Sequence, residues 1–161
     1  MVIDTSALLA ILQNEPERRS FNLAIEAAER RLMSAAIYVE CSMILESRYG
    51  AEGVRDLDHF SARAQLTIVP VDAEQARIAR DAFRKYGKGR HRAALNFGDC
   101  FSYALSRTID EPLLFKGNDF PHTDIECHSA TGSTVHESGT VGRAARRQRH
   151  PGLRQRPRGD R

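Results

Sequence analysis

Met1-Val2-Ile3-Asp4-Thr5-Ser6-Ala7-Leu8-Leu9-Ala10 opens the chain with two β-branched aliphatic residues, one carboxylate, two hydroxyls and an apolar run. Val2-Ile3 predicts a short strand, and Ala7 to Gln13 a short helix. Asp4 then stands at the carboxyl end of the strand, where it is either the cap of the next helix or a functional acid.

Outward from this segment, short β-like runs alternate with helical ones. Phe21, Ala24, Ile25 and Ala28 have helical spacing through about Arg30, with Pro16 suited to the first turn. Leu32-Met33 predicts a second strand, and Ser34 caps a helix that runs to Tyr49 and stops at Gly50. Val54 to Ala64 predicts another helix and Leu66 to Val71 a strand. Asp72 caps a helix with Ala76, Ala79 and Phe83 on its apolar face. Gly87 and Gly89 break that helix in a basic loop, and a further helix covers Phe97 to Thr108. Leu113 to Phe115 and Asp124 to Cys127 predict the last strands. Alternation of this kind implies an α/β fold, a three-layer α/β/α sandwich around a mostly parallel sheet of about five short strands. Ligands of such sheets gather outside the carboxyl ends of the strands.

The 161 residues suit one domain, expected over 1–128. The net charge of +3 is unevenly placed: residues 1–128 carry 16 Lys and Arg against 19 Asp and Glu, and 129–161 carry 8 Arg against Glu137 and Asp160. The basic character therefore belongs to the Arg- and Gly-rich segment 129–161, whose sparse, aperiodic apolar residues predict a disordered tail. Arg143 to Arg149 there is suited to nonspecific RNA contact, and an extension without any role reads equally well. Cys41, Cys100 and Cys127 show no metal or disulfide spacing and predict buried thiols in a reducing compartment. No run approaches the ~20 apolar residues of a membrane span, so a cytoplasmic protein is expected.

Four acids take positions on this framework. Asp4 and Asp119 follow strands, Asp99 lies in the first turn of a helix, and Glu40 lies beside the apolar stripe made by Ile37, Cys41 and Ile44. Each has an ordinary explanation. Asp4 would cap a helix, Asn96-Phe-Gly-Asp99 has capping-box spacing, Glu40 would pair with an arginine, and Asn118-Asp119 suits a turn. Their joint arrival at one sheet edge is less ordinary, because clustered carboxylates need a cation.

Val-Ile-Asp-Thr-Ser-Ala at 2–7, Glu40 in mid-helix, Asn96-Phe-Gly-Asp99 and Asn118-Asp119-Phe120 resemble the motifs of PIN-domain nucleases. More closely, Leu113 to Phe120 and Tyr86-Gly-Lys-Gly-Arg90 are similar to VapC toxins of bacterial VapBC toxin–antitoxin pairs. The resemblance covers about residues 1–127. It implies a PIN fold in which Asp4, Glu40, Asp99 and Asp119 hold Mg²⁺ or Mn²⁺ and catalyse hydrolysis of RNA phosphodiesters, with Thr5, Ser6 and Asn96 supporting them. It also implies a toxin that cuts tRNA or rRNA and inhibits translation, dimerises, and is neutralised by a VapB-type antitoxin whose peptide lies in or beside the acid pocket. Many relatives carry a further acid or hydroxyl in the last motif; here Phe115, Gly117 and Asn118 occupy it, which leaves one or two ions open.

Arg84-Lys85-Tyr86-Gly87-Lys88-Gly89-Arg90-His91-Arg92 is the predicted RNA-binding loop, six of its nine side chains being cationic or able to become so. Tyr86 and His91 are suited to stacking on unpaired bases. A phosphatase of the haloacid-dehalogenase type is excluded, because Ser6 stands where its second Asp is required. A flap-type DNA nuclease needs more acids and a longer chain. A catalytically inactive PIN-like RNA- or protein-binding module is the remaining alternative.

Overall fold

The computed structural model describes residues 1–128, in which β1 (Val2–Ile3), β2 (Leu32–Ser34), β3 (Thr67–Val69), β4 (Leu113–Leu114) and β5 (Cys127–His128) form one sheet. Their order is β3-β2-β1-β4-β5, and every neighbouring pair is parallel. The helices are α1 (Thr5–Leu12), α2 (Arg18–Ala27), α3 (Ala35–Tyr49), α4 (Ala51–Arg63), α5 (Ala73–Tyr86) and α6 (Phe97–Ile109).

Strand side chains alternate between faces, and that alternation builds the three layers. Val2, Leu32 and Leu113 point to one core shared with Ala79 and Ala82 of α5 and Cys100, Ala104 and Leu105 of α6. Ile3, Met33 and Leu114 point to the opposite core, made with Leu8 of α1, Phe21 of α2, Ile37 and Leu45 of α3 and Leu57 of α4. The register places Ile3 beside Leu114 and Val2 beside both Leu32 and Leu113, so each core is continuous across the central strands. Truncating a fully buried residue such as Leu114 to Ala costs about 2–5 kcal/mol.

The three-layer fold is as the sequence predicts, with a sheet that is wholly parallel. Several boundaries shift for local reasons. α1 begins at Thr5, because Asp4 has extended backbone and its carboxylate accepts the Ser6 amide at 2.9 Å. α4 begins at Ala51, directly after Gly50, whose φ of +62° turns the chain between helices. Asp72 caps α5 as expected, accepting from the Gln75 amide at 2.8 Å. The last strand comes later than predicted, at Cys127–His128. All three cysteines are free and buried. No helix among the described residues is long and apolar enough to cross a membrane. The predicted tail, 129–161, lies outside the described residues.

Candidate functional site

Asp4 and Asp119 follow the adjacent parallel strands β1 and β4, and this common direction brings them to one edge of the sheet. Asp4 is only 4% exposed. Its Oδ2 accepts from the Ser6 amide at 2.9 Å and the Ser6 hydroxyl at 2.6 Å, and its Oδ1 accepts from the Ser102 hydroxyl on α6 at 2.5 Å. Both oxygens are thus fixed in direction by hydrogen-bond donors. Ser6 Oγ also accepts the Lys116 amide at 2.9 Å, tying the loop after β4 to the end of β1.

Glu40 is held by the Thr5 hydroxyl, which donates to Oε2 at 2.8 Å. The glutamate lies against Gly98 in the first turn of α6. A Cβ at that position would fall 2.5 Å from Glu40 Oε1, so only glycine leaves the carboxylate its place. Asp99 closes a capping box: Asn96 Oδ1 accepts the Asp99 amide at 3.0 Å, and Asp99 Oδ2 accepts the Asn96 amide at 2.7 Å. The helix explanation for Asp99 is correct, and it leaves the other carboxylate oxygen unused by the cap.

Electrostatics join the four acids. Burial pushes the Asp99 carboxyl up to about 6, and the charges of Asp4, Asp119 and Glu40 push it in the same direction against the Asn96 hydrogen bond. The neighbouring Cys41 thiol is pushed up to about 12 by burial and by Asp4 and Glu40. Among the described residues none of the four acids forms an ion pair. Glu40 therefore does not have the arginine partner of the structural explanation. Asp119 is exposed, and its side chain makes no cap bond to the 3₁₀ turn Phe120–His122 that follows.

No three His, Cys, Asp or Glu side chains among the described residues make a ready-formed metal cage. The donor set nevertheless fits a hard cation that retains several waters: carboxylate oxygens, no thiolate, no imidazole, and uncompensated negative charge. Asp4, Glu40, Asp99 and Asp119 are the residues that would hold it.

The basic loop needs a correction. Tyr86 is 6% exposed, because α5 continues through it and the spacing from Ala79 and Ala82 turns it into the core beside Tyr103. It offers no face to a base. His91 packs edge-on against Tyr86, and its Nδ1 accepts the Ala93 amide at 3.1 Å. Lys85 pairs with Asp124 and Arg84 with Asp81. Lys88, Arg90 and Arg92 are exposed. Sequence reading missed Ser102 and Gly98. A serine one helical turn after Asp99 and a glycine directly before it were the available signals.

The PIN domain family matches residues 1–126. Ribonuclease VapC30 of Mycobacterium tuberculosis is 56% identical over 125 residues, 78% of this chain and 95% of that protein. Ribonuclease VapC of Mycolicibacterium smegmatis is 54% identical over 125 residues, 78% of this chain and 97% of that one. In fold, the chain is similar to M. tuberculosis VapC20, described as a sarcin-ricin loop cleaving toxin, with a TM-score of 0.61 and 15% identity over 74% of this chain and 92% of that one. A toxin–antitoxin complex from Klebsiella pneumoniae aligns at a TM-score of 0.55 and 16% identity, over 74% and 88% of the two chains. The chain belongs to the PIN-domain family. Within that family, its identity to near-full-length relatives sets it among the VapC ribonucleases.

Proposed function

We propose that this chain is an endoribonuclease toxin that hydrolyses RNA phosphodiester bonds with Mg²⁺ or Mn²⁺ held by Asp4, Glu40, Asp99 and Asp119. The observation that carries the metal is the burial of negative charge without a cation, visible in the raised Asp99 carboxyl. RNA hydrolysis is also what the names of the VapC relatives state, and the inactive binding module is not favoured.

Each residue has a role that follows from its contacts. Ser6 and Ser102 hold Asp4 in its direction, Thr5 orients Glu40, and Asn96 sets the rotamer of Asp99. A cation held by Asp4, Glu40, Asp99 and Asp119 would supply an acidified water as nucleophile and would stabilise the leaving oxygen. By family analogy the products carry 5′-phosphate and 3′-hydroxyl ends. Exposed Lys88, Arg90 and Arg92 contact RNA phosphates and concentrate positive charge on one loop of a body, residues 1–128, whose net charge is −3. The substrates are tRNA or rRNA, whose cleavage stops translation.

The protein works as a homodimer and is neutralised by a VapB-type antitoxin. An antitoxin Arg or Lys placed among the acids would supply the missing positive charge, and the K. pneumoniae neighbour is itself a toxin–antitoxin complex. Calorimetry with Mn²⁺ and RNA cleavage test the site together. Asp4→Ala is expected to lower the cleavage rate by about 10³-fold or more, the scale of several kcal/mol of metal assistance. Unchanged cleavage by that variant, or no Mn²⁺ binding by the parent protein, would refute the site.

A further inference from the structure

With Tyr86 buried, the aromatic surface for an unpaired base has to come from elsewhere. Phe97 is 76% exposed, although it lies immediately before Gly98 and two residues from Asp99. Its ring is braced edge-on by Phe101, with centroids 4.9 Å apart and planes at 65°. Phe97, Phe101 and Cys100 of α6 face Ala76, Ala79, Arg80 and Phe83 of α5 across a cleft of about 330 Å³. Arg90 of the basic loop lies over the Phe83 ring, 5.4 Å from its centroid. An apolar slot, a braced aromatic ring and guanidinium groups at its border thus adjoin the helix turn that carries Asp99.

We infer that this cleft is a nucleobase subsite in which Phe97 stacks on an unpaired base flanking the scissile phosphate, while Arg90 and Arg80 meet the adjoining backbone. The chemistry is that of single-strand recognition, where an aromatic face gives sequence-tolerant affinity and cations follow the phosphates. A protein partner would cover the same apolar surface, but Arg80 in its lining and Arg90 over the Phe83 ring favour a polyanion. The inference rests on the RNA-cleaving reading and adds to it the residue that holds a base.

The test uses the full chain, a single-stranded oligoribonucleotide carrying 2-aminopurine, and Ca²⁺ in place of Mg²⁺ to slow cleavage. Binding by the parent protein is expected to quench 2-aminopurine. Phe97→Ala is expected to abolish the quenching and weaken binding by roughly tenfold or more, whereas Phe97→Trp retains both. With Mn²⁺, Phe97→Ala should raise KM for the unlabelled oligonucleotide far more than it lowers kcat. Parent-like binding and KM for Phe97→Ala would overturn the inference and leave the ribonuclease reading intact. A parent protein that neither binds nor cuts RNA would sink that reading itself. Sedimentation separates the rival occupant: a Phe97→Ala protein that loses its dimer but keeps its RNA affinity assigns the cleft to a protein contact. Thermal unfolding checks that both variants fold.

Discussion

Asp99 and Asp124 meet the same helix one turn apart, and their surroundings drive them in opposite directions. Burial raises both carboxyls. Around Asp124 the Tyr103 hydroxyl donates at 2.6 Å and the Lys85 ammonium at 3.2 Å, and these bonds outweigh burial and hold it below the ordinary carboxylate range. Among the described residues Asp99 has no ammonium or guanidinium partner; burial and the neighbouring carboxylates outweigh the bond from the Asn96 amide, and the group rises to about 6. One acid is satisfied by the fold and needs nothing more. The other is left without a compensating positive charge among the described residues, which is the electrostatic basis for proposing it as a ligand.

The widest separation between them is expected in metal affinity. Asp99→Asn should weaken Mn²⁺ binding by more than about 100-fold, beyond the loss typical of an outer hydrogen-bond partner, while Asp124→Asn leaves it unchanged in calorimetry. Equal losses would erase the contrast. Ser102→Ala comes next: removing the donor to Asp4 Oδ1 should reduce Mn²⁺ affinity about 10- to 100-fold without touching the capping box. An unaffected titration would make that hydroxyl merely structural.

The smallest effect is a pH dependence of opposite sign at the two acids. In metal-free protein, folded Asp99 holds its proton up to about pH 6, whereas the unfolded carboxyl releases it near 3.9. The folded state thus binds more protons across that window, and stability falls as pH rises through it. Discounted for the solvent screening of a half-buried group, the fall is about 1 kcal/mol. Urea titrations at pH 4 and pH 7 should show it in the parent and not in Asp99→Asn. Asp124 contributes stability above pH 4 that is lost as its carboxylate is protonated on acidification. Its replacement by Asn should cost a few tenths of a kcal/mol at pH 7. If both variants destabilise alike, the two acids are electrostatically equivalent.

The central sheet was legible because β1, β2 and β4 are buried on both faces and leave nearly unbroken apolar dipeptides in the sequence. The edge was harder to read. β5 shrinks to Cys127–His128, since Asp124 is drawn toward Tyr103 and Lys85 and the chain before the strand bends. Among the four acids, the backbone direction of Asp4 and Asp119 followed from the strands, and the exposure of Asp119 did not. Tyr86 was misread because the glycines after it suggested that the loop begins earlier, although its period from Ala79 belongs to the helix. The position of Ser102 one helical turn after Asp99 was a weak signal: a serine within a helix contacts solvent, a carbonyl or a partner, and only the approach of α6 to β1 selects Asp4.

The capping box at the start of α6 divides the two oxygens of Asp99 between separate employments. One is spent on the Asn96 amide, so the rotamer of this carboxylate is chosen when the helix forms. Asp119, exposed and without a cap bond, keeps its torsional freedom. If these residues hold a cation, Asp99 would offer it an oxygen of fixed direction, and Asp119 one that is free to adjust.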